Sequence, residues 1–295
     1  MENETLRRRA KAIAEDRDRG AAELLSSTLP LLADALATGP AAALEVVRVI
    51  CRGQPAMAPL WNACAAAVAD RSRPGRFAVV RADMERAPAA LVRAAHLALK
   101  DLLPAERPPH VLTLSYSSSV ARVLADVARQ RTLHVTCAEG RPRYEGRRLA
   151  TDLAGAGAVV TLTTDAALGA SLDRASAVIV GADGFDERYW TNKVGTRSLA
   201  AAASLTGVSV FVICTRDKAR PVAFVGPSFD GATDEVWSNP PAGIIVSNPY
   251  FEHTPVELAT LFLTEAGPVP PSELSQVIRR YAADILLLRD SLRVS

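Results

Sequence analysis

The sequence predicts an α/β fold, with a helical N-terminal domain over residues 1–105 and a Rossmann-like parallel-sheet domain over 106–295. Three observations predict it. Before His110 the apolar residues recur at helical spacing, with no β alternation of any length. Between Pro104 and Pro109 three prolines interrupt the pattern and mark a boundary. Beyond it, short β-branched runs alternate with amphipathic helical stretches, the order that yields parallel strands joined by right-handed crossovers.

The elements follow in order. Glu4–Asp16 is dense in Arg, Ala and Glu, and reads as a first helix. Ala21–Leu36 carries Leu24, Leu25, Leu29, Leu32 and Leu36 as one apolar stripe. Gly39 and Pro40 punctuate, and Ala41–Cys51 resumes with Leu44, Val47 and Ile50. Trp61–Ala69 and Pro88–Leu103 are further helices, with a turn at Ser72–Gly75 between them. Strands are expected at His110–Leu114, Leu133–Cys137, Ala158–Leu162, Ala177–Val180, Val208–Cys214 and Gly243–Val246. Helices are expected between them at Ser118–Arg129, Gly146–Ala154, Ala166–Leu172 and Gly195–Leu205.

Composition narrows the function. Against 34 Lys+Arg stand 32 Asp+Glu, a net charge of +2, so direct nucleic-acid binding, which calls for a basic excess, is not expected. No apolar run reaches the roughly 18–20 residues needed to span a bilayer. The acidic start Met1-Glu2-Asn3-Glu4 argues against a secretory signal. Cys51, Cys64, Cys137 and Cys214 lie far apart without CxxC spacing, which predicts a reducing compartment, and the expected location is the cytoplasm. No metal site or cofactor is expected. The GxGxxG turn, the GxxxxGKS/T loop, the GxSxG elbow and HExxH are all absent.

Ligands of open parallel sheets bind outside the carboxyl ends of the strands, which singles out four segments. Ser115-Tyr116-Ser117-Ser118-Ser119 ends a strand and opens a helix, where free N–H groups and hydroxyls suit a phosphate; a serine acting only as N-cap explains it equally. Glu139–Gly146 carries Arg141 and Arg143, forked donors for phosphate, or is a solvated loop. Gly181-Ala182-Asp183 offers a carboxyl for acid–base work, or an Asx turn. The following Asn192-Lys193 supplies an amide and a cation, or Lys193 is an ordinary surface lysine. Asn248–Pro255 contains His253, a proton carrier or a packed side chain.

In order and spacing these segments resemble a known family. It comprises the alpha, beta and delta regulatory subunits of translation initiation factor 2B, with ribose-1,5-bisphosphate and methylthioribose-1-phosphate isomerases. The pieces are Asp16-Arg17-Asp18-Arg19-Gly20-Ala21-Ala22-Glu23, Leu112–Ser118, Glu139–Gly146, Gly181-Ala182-Asp183, Asn192–Thr196 and Phe251–Leu258, continuing into Thr264–Pro271. The resemblance spans about residues 16–274. It implies a phosphosugar pocket between the two domains and a homodimer, or higher homo-oligomer, formed through the second. Arg19, Gly20, Ala21, Tyr116, Ser117, Ser118, Arg141, Arg143, Asn192 and Lys193 are the implied binding residues.

One departure bears on chemistry. The isomerases of the family use a Cys–Asp pair; the resemblance places the Asp on Asp183 and the Cys on Ser115. A thiol ionises near neutral pH, whereas a hydroxyl needs an adjacent base. The leading expectation is therefore a non-catalytic or regulatory phosphosugar binder. The alternatives are an aldose–ketose isomerase of sugar phosphates using Asp183, and an interaction subunit supporting guanine-nucleotide exchange in translation initiation.

Overall fold

The computed structural model describes residues 2–16, 19–220 and 230–293; Met1, Arg17 and Asp18 of the segments above lie outside them. Five helices come first: α1 (Glu2–Glu15), α2 (Ala21–Thr38), α3 (Pro40–Gly53), α4 (Ala58–Ala69) and α5 (Arg76–Leu102). The leucine stripe of α2 is buried at Leu24, Leu25, Leu29 and Leu32. Helix α5 runs a dozen residues longer at its start than periodicity suggested, because Pro88 sits inside it. The helix begins instead at the Ser72–Gly75 turn, where Gly75 adopts a left-handed conformation (φ 84°).

The sheet domain contains β1 (His110–Thr113), α6 (Ser118–Gln130), β2 (His134–Ala138), α7 (Glu145–Gly155), β3 (Val159–Thr163), β4 (Ala177–Gly181), β5 (Gly184–Phe185), β6 (Tyr189–Lys193), α8 (Thr196–Thr206), β7 (Val210–Ile213), β8 (Phe251–Pro255), β9 (Leu261–Thr264) and β10 (Gly267–Val269). Its main sheet has the order β10-β9-β7-β4-β1-β2-β3, parallel except for β10. Helix α6 buries Val120, Val123, Leu124 and Val127 against one face of the sheet. Each such side chain is worth about 2 kcal/mol on the area scale. On the other face, Leu112, Val178, Val180 and Val212 join one core with the N-terminal helices.

Three expectations are corrected. Gly243–Val246 is not a strand: Ile245 is 95% exposed, and an apolar run cannot report its own burial. The strand beyond β7 is β9, whose Phe262 and Leu263 are buried. Asp165–Arg174 is a 3-10 segment rather than an α-helix, with Gly169 in its middle. Asn192 and Lys193 end β6 of a small antiparallel sheet, β5-β6-β8, and Lys193 is buried there rather than an ordinary surface lysine.

A ninth helix, α9 (Leu274–Arg293), was not foreseen. It returns to the helical region and packs on α4. Its buried Asp284 receives Arg76 (2.7 Å) and Arg73 from the α4–α5 turn. Among the described residues, no helix is long and apolar enough to cross a membrane.

Candidate functional site

Strand order reverses direction between β1 and β4, and a crevice at such a switch point is the expected ligand position of a doubly wound sheet. The segments after these two strands meet there. Ser115 leaves β1 in a left-handed conformation (φ 64°), uncommon for a residue with a Cβ. Ser117 follows as the N-cap of α6, accepting from Val120 N at 3.4 Å. Across the crevice, a Cβ on Gly181 would lie 2.6 Å from Ser117 Oγ and 3.8 Å from Asn192 Oδ1. Only glycine lets Ser117, β4 and Asn192 approach so closely.

Glu145 organises the next layer. Gly146 is pressed so tightly on the end of β2 that a Cβ there would sit 1.8 Å from the Ala138 carbonyl oxygen. That contact seats the start of α7 and aims Glu145 inward. Its Oε1 accepts from the Ser115 hydroxyl (3.2 Å) and pairs with Lys193 Nζ (2.6 Å). Its Oε2 is buried without a hydrogen-bond partner. Lys193, itself buried, also stands over the Tyr250 ring, 4.9 Å from its centroid.

Asp183 follows β4, its backbone N–H bonded to Thr191 O (2.8 Å). Burial pushes its carboxyl up, while Lys218 and Arg220 pull it down. Lys218 donates to the Ala182 carbonyl, and Arg220 Nη2 donates to Thr191 Oγ1 (2.9 Å). Thr191 Oγ1 also meets His253 Nδ1 at 3.0 Å. Burial, and then Arg220, hold the His253 imidazole below its usual pKa, against the pull of Asp186.

The remaining expected residues ring this core. Arg148 stacks over Tyr116 (4.1 Å) and reaches Glu23 of α2 (3.7 Å), drawing the Gly20–Ala21 helix start towards α7. Arg19 is committed to Asp16 (2.8 Å) and Ser27 (2.8 Å). Arg143 pairs with Glu235 (3.8 Å), and Arg141 lies over the Tyr144 ring (5.1 Å).

Thus Ser115, Ser117, Asn192 and Lys193 come together with Gly181. Arg19 and Arg141 are turned to local partners at the rim. A cavity of about 220 Å³ between α2, α5 and the start of α6 includes Ser118 and Lys218 in its wall. Arg19, Arg141, Arg143, Asp183 and Lys193 do not line it. Sequence reasoning missed Glu145, Arg148, Lys218, Arg220, Glu235 and Tyr250 as members of the cluster. Lys218 carried a signal, being one of four lysines and lying just past a strand end. Glu235 carried none.

The Initiation factor 2 subunit family matches residues 80–271. Ribose 1,5-bisphosphate isomerase of Methanocaldococcus jannaschii is 30% identical over 155 residues, 50% of each chain. Methylthioribose-1-phosphate isomerase of Roseiflexus castenholzii is 33% identical over 184 residues, 58% of this chain and 51% of that one. The translation initiation factor eIF2B subunit beta of Dictyostelium discoideum is 30% identical over 60% of this chain and 48% of its own. The alignments thus span about half the length of these curated relatives. Among solved structures, the Pyrococcus horikoshii translation initiation factor eIF-2B superposes with a TM-score of 0.74 at 22% identity, covering 91% of this chain and 98% of that one. The 5-methylthioribose 1-phosphate isomerase from the same organism gives 0.69 at 20% identity, covering 93% and 87%. With the strand order, the switch-point motifs and a family match over well over half its length, the chain belongs to the Initiation factor 2 subunit family.

Proposed function

We propose that this protein binds a phosphorylated pentose at the crevice between β1 and β4 and does not isomerise it. The observation that carries this reading is the state of Ser115. Its hydroxyl stands where the resemblance implies a thiol, and the carboxylate it donates to, Glu145, is held by Lys193 through the same oxygen. A serine nucleophile needs a base free to take its proton, and an ion-paired carboxylate is a poor one. Binding groups remain: the start of α6 at Ser117–Ser118, the Asn192 amide, the Lys193 ammonium, and Tyr116, Arg141, Arg143, Arg19 and the Gly20–Ala21 helix start around the rim. Relatives named as sugar-phosphate isomerases support a phosphosugar reading without distinguishing binding from turnover.

Calorimetry of the full chain with ribose 1,5-bisphosphate, methylthioribose 1-phosphate and nucleoside monophosphates tests it. Saturable binding without ketose formation by proton NMR is the expected result; failure of every phosphosugar to bind rejects it.

One observation favours a second reading. Burial raises the Asp183 carboxyl against the pull of Lys218 and Arg220, the direction that favours an acid–base role. If ketose does form, Asp183→Asn abolishes it. An exchange-supporting subunit in translation initiation rests on the named relatives alone, and recovery of only the chain itself from a pull-down counts against it. We further propose a homodimer formed through residues 106–295, with residues 1–105 closing the pocket. A chain of the same fold lies in the tetrameric eIF2B-β2-δ2 complex from C. thermophilum, an assembly of two kinds of subunit. Four free, buried cysteines support a cytoplasmic location.

A further inference from the structure

Two hydrogen-bond donors and an arginine converge on a carboxylate that no motif pointed to. Glu235 ends a 3-10 turn, Thr233–Glu235, in a stretch that is otherwise largely exposed. Its Oε2 accepts from the Tyr250 hydroxyl and from Asn248 Nδ2 (3.0 Å), while Oε1 faces Arg143 Nε at 3.8 Å. The placement is built rather than incidental. Asn248 is buried, and its side-chain amide also donates to Ala232 O (2.7 Å) while Gly231 N donates to Asn248 O (2.7 Å). The Tyr250 ring packs against Gly231, where a Cβ would come within 2.3 Å of the ring. That same ring carries Lys193 Nζ on its face. Glu235 is therefore anchored from below and presented to the rim of the crevice.

The other cations tell the same way. Lys193 is matched by Glu145 (2.6 Å) and Arg19 by Asp16 (2.8 Å). The rim is close to charge-balanced before any ligand arrives. One phosphate can still be held by the start of α6 and by Arg141, which has no carboxylate on its side chain among the described residues. A second phosphate beside Arg143 would have to displace a carboxylate fixed by two further hydrogen bonds, or lie against its negative charge.

We propose that Glu235 is a specificity-determining residue: its carboxylate occupies Arg143 in place of a second phosphate, so the site takes a sugar bearing one phosphate and rejects a bisphosphate. The proposal rests on the phosphosugar reading above, and it uses negative charge against the wrong ligand as the selective element.

Titration calorimetry of the full chain compares ribose 1-phosphate, ribose 5-phosphate and ribose 1,5-bisphosphate, for the unmodified chain, Glu235→Gln and the shorter Glu235→Asp. The unmodified chain is expected to bind the better monophosphate at least tenfold more tightly than the bisphosphate. Glu235→Gln, whose amide oxygen still accepts from Tyr250, is expected to reduce that ratio at least fivefold, and Glu235→Asp by less. Far-UV circular dichroism establishes that each variant is folded. Equal or tighter binding of the bisphosphate by the unmodified chain overturns the proposal, as does a ratio unchanged in Glu235→Gln. Binding of none of the three sugars overturns this proposal by removing its ligands, a result distinct from both; the phosphosugar reading itself falls only if methylthioribose 1-phosphate and the nucleoside monophosphates also fail to bind.

Discussion

Ser115 Oγ and Lys193 Nζ meet the same oxygen of Glu145, at 3.2 and 2.6 Å. The three residues come from the end of β1, the end of β6 and the start of α7, so one carboxylate ties three elements at the mouth of the sheet. Removing the cation leaves a carboxylate whose other oxygen already lacks a partner. Lys193→Met is therefore expected to cost about 3 kcal/mol, within the range for an orphaned buried charge, and more than Glu145→Gln. Urea unfolding midpoints of the two variants check this; equal losses would show that Glu145 gains solvent when Lys193 is gone.

Restoring a thiol at the strand end gives a second test. In Ser115→Cys the sulfur faces the Glu145 carboxylate, and a nearby negative charge disfavours the thiolate. The thiol is expected to titrate lower in Ser115→Cys/Glu145→Gln than in Ser115→Cys alone. The pH dependence of iodoacetamide alkylation measures both, and identical profiles would mean that the carboxylate does not face the sulfur.

Asp217 supplies a pH dependence. Burial pushes its carboxyl up to about 6, against the pull of the Thr215 hydroxyl and Lys218. A carboxyl with a raised folded-state pKa favours the protonated native form, so its contribution is present at low pH and is lost as pH rises from about 4 through about 6. At about 1.4 kcal/mol per pH unit across that window of roughly two pH units, the loss is about 3 kcal/mol. Asp217→Asn is expected to flatten the fall in urea midpoint between about pH 4 and 7. A slope unchanged in the variant would assign the dependence to another group.

The C-terminal helix hangs on one acid. Asp284 on α9 is buried, with a side chain 4% exposed, and receives both Arg73 and Arg76. Asp284→Ala leaves two guanidinium groups without their partner, partly relieved by solvent at Arg73. A loss of about 2–3 kcal/mol is expected, with faster hydrogen exchange along α9. Exchange confined to the α4–α5 turn would show that apolar contacts alone hold the helix.

The parts legible in the sequence were those with a period or a local rule. The leucine stripe of α2, the β-branched runs of β1, β2, β4 and β7, and the serines opening α6 each satisfy a requirement set within a few residues. The same logic fails at Ile244-Ile245-Val246, because a run of apolar residues looks alike buried or exposed; α9 buries Leu274, Ile278, Tyr281, Ile285 and Leu288 at helical spacing, a local signal, whereas its packing on α4 is not local. The motif residues Ser115, Ser117, Asn192 and Lys193 were found because strand ends are where an open sheet exposes free backbone groups.

The sequence by itself determined the order of helices and strands, and hence which loops gather at the carboxyl edge of the sheet, because hydrophobic periodicity and strand–helix alternation are written locally. Only the tertiary structure decided which charge meets which. That Glu145 takes Lys193, that Glu235 takes Arg143 and that Asp183 lies between Lys218 and Arg220 depends on approaches between residues far apart in the chain. Coulombic pairing acts across a few ångströms of space, and spacing along the chain does not record it.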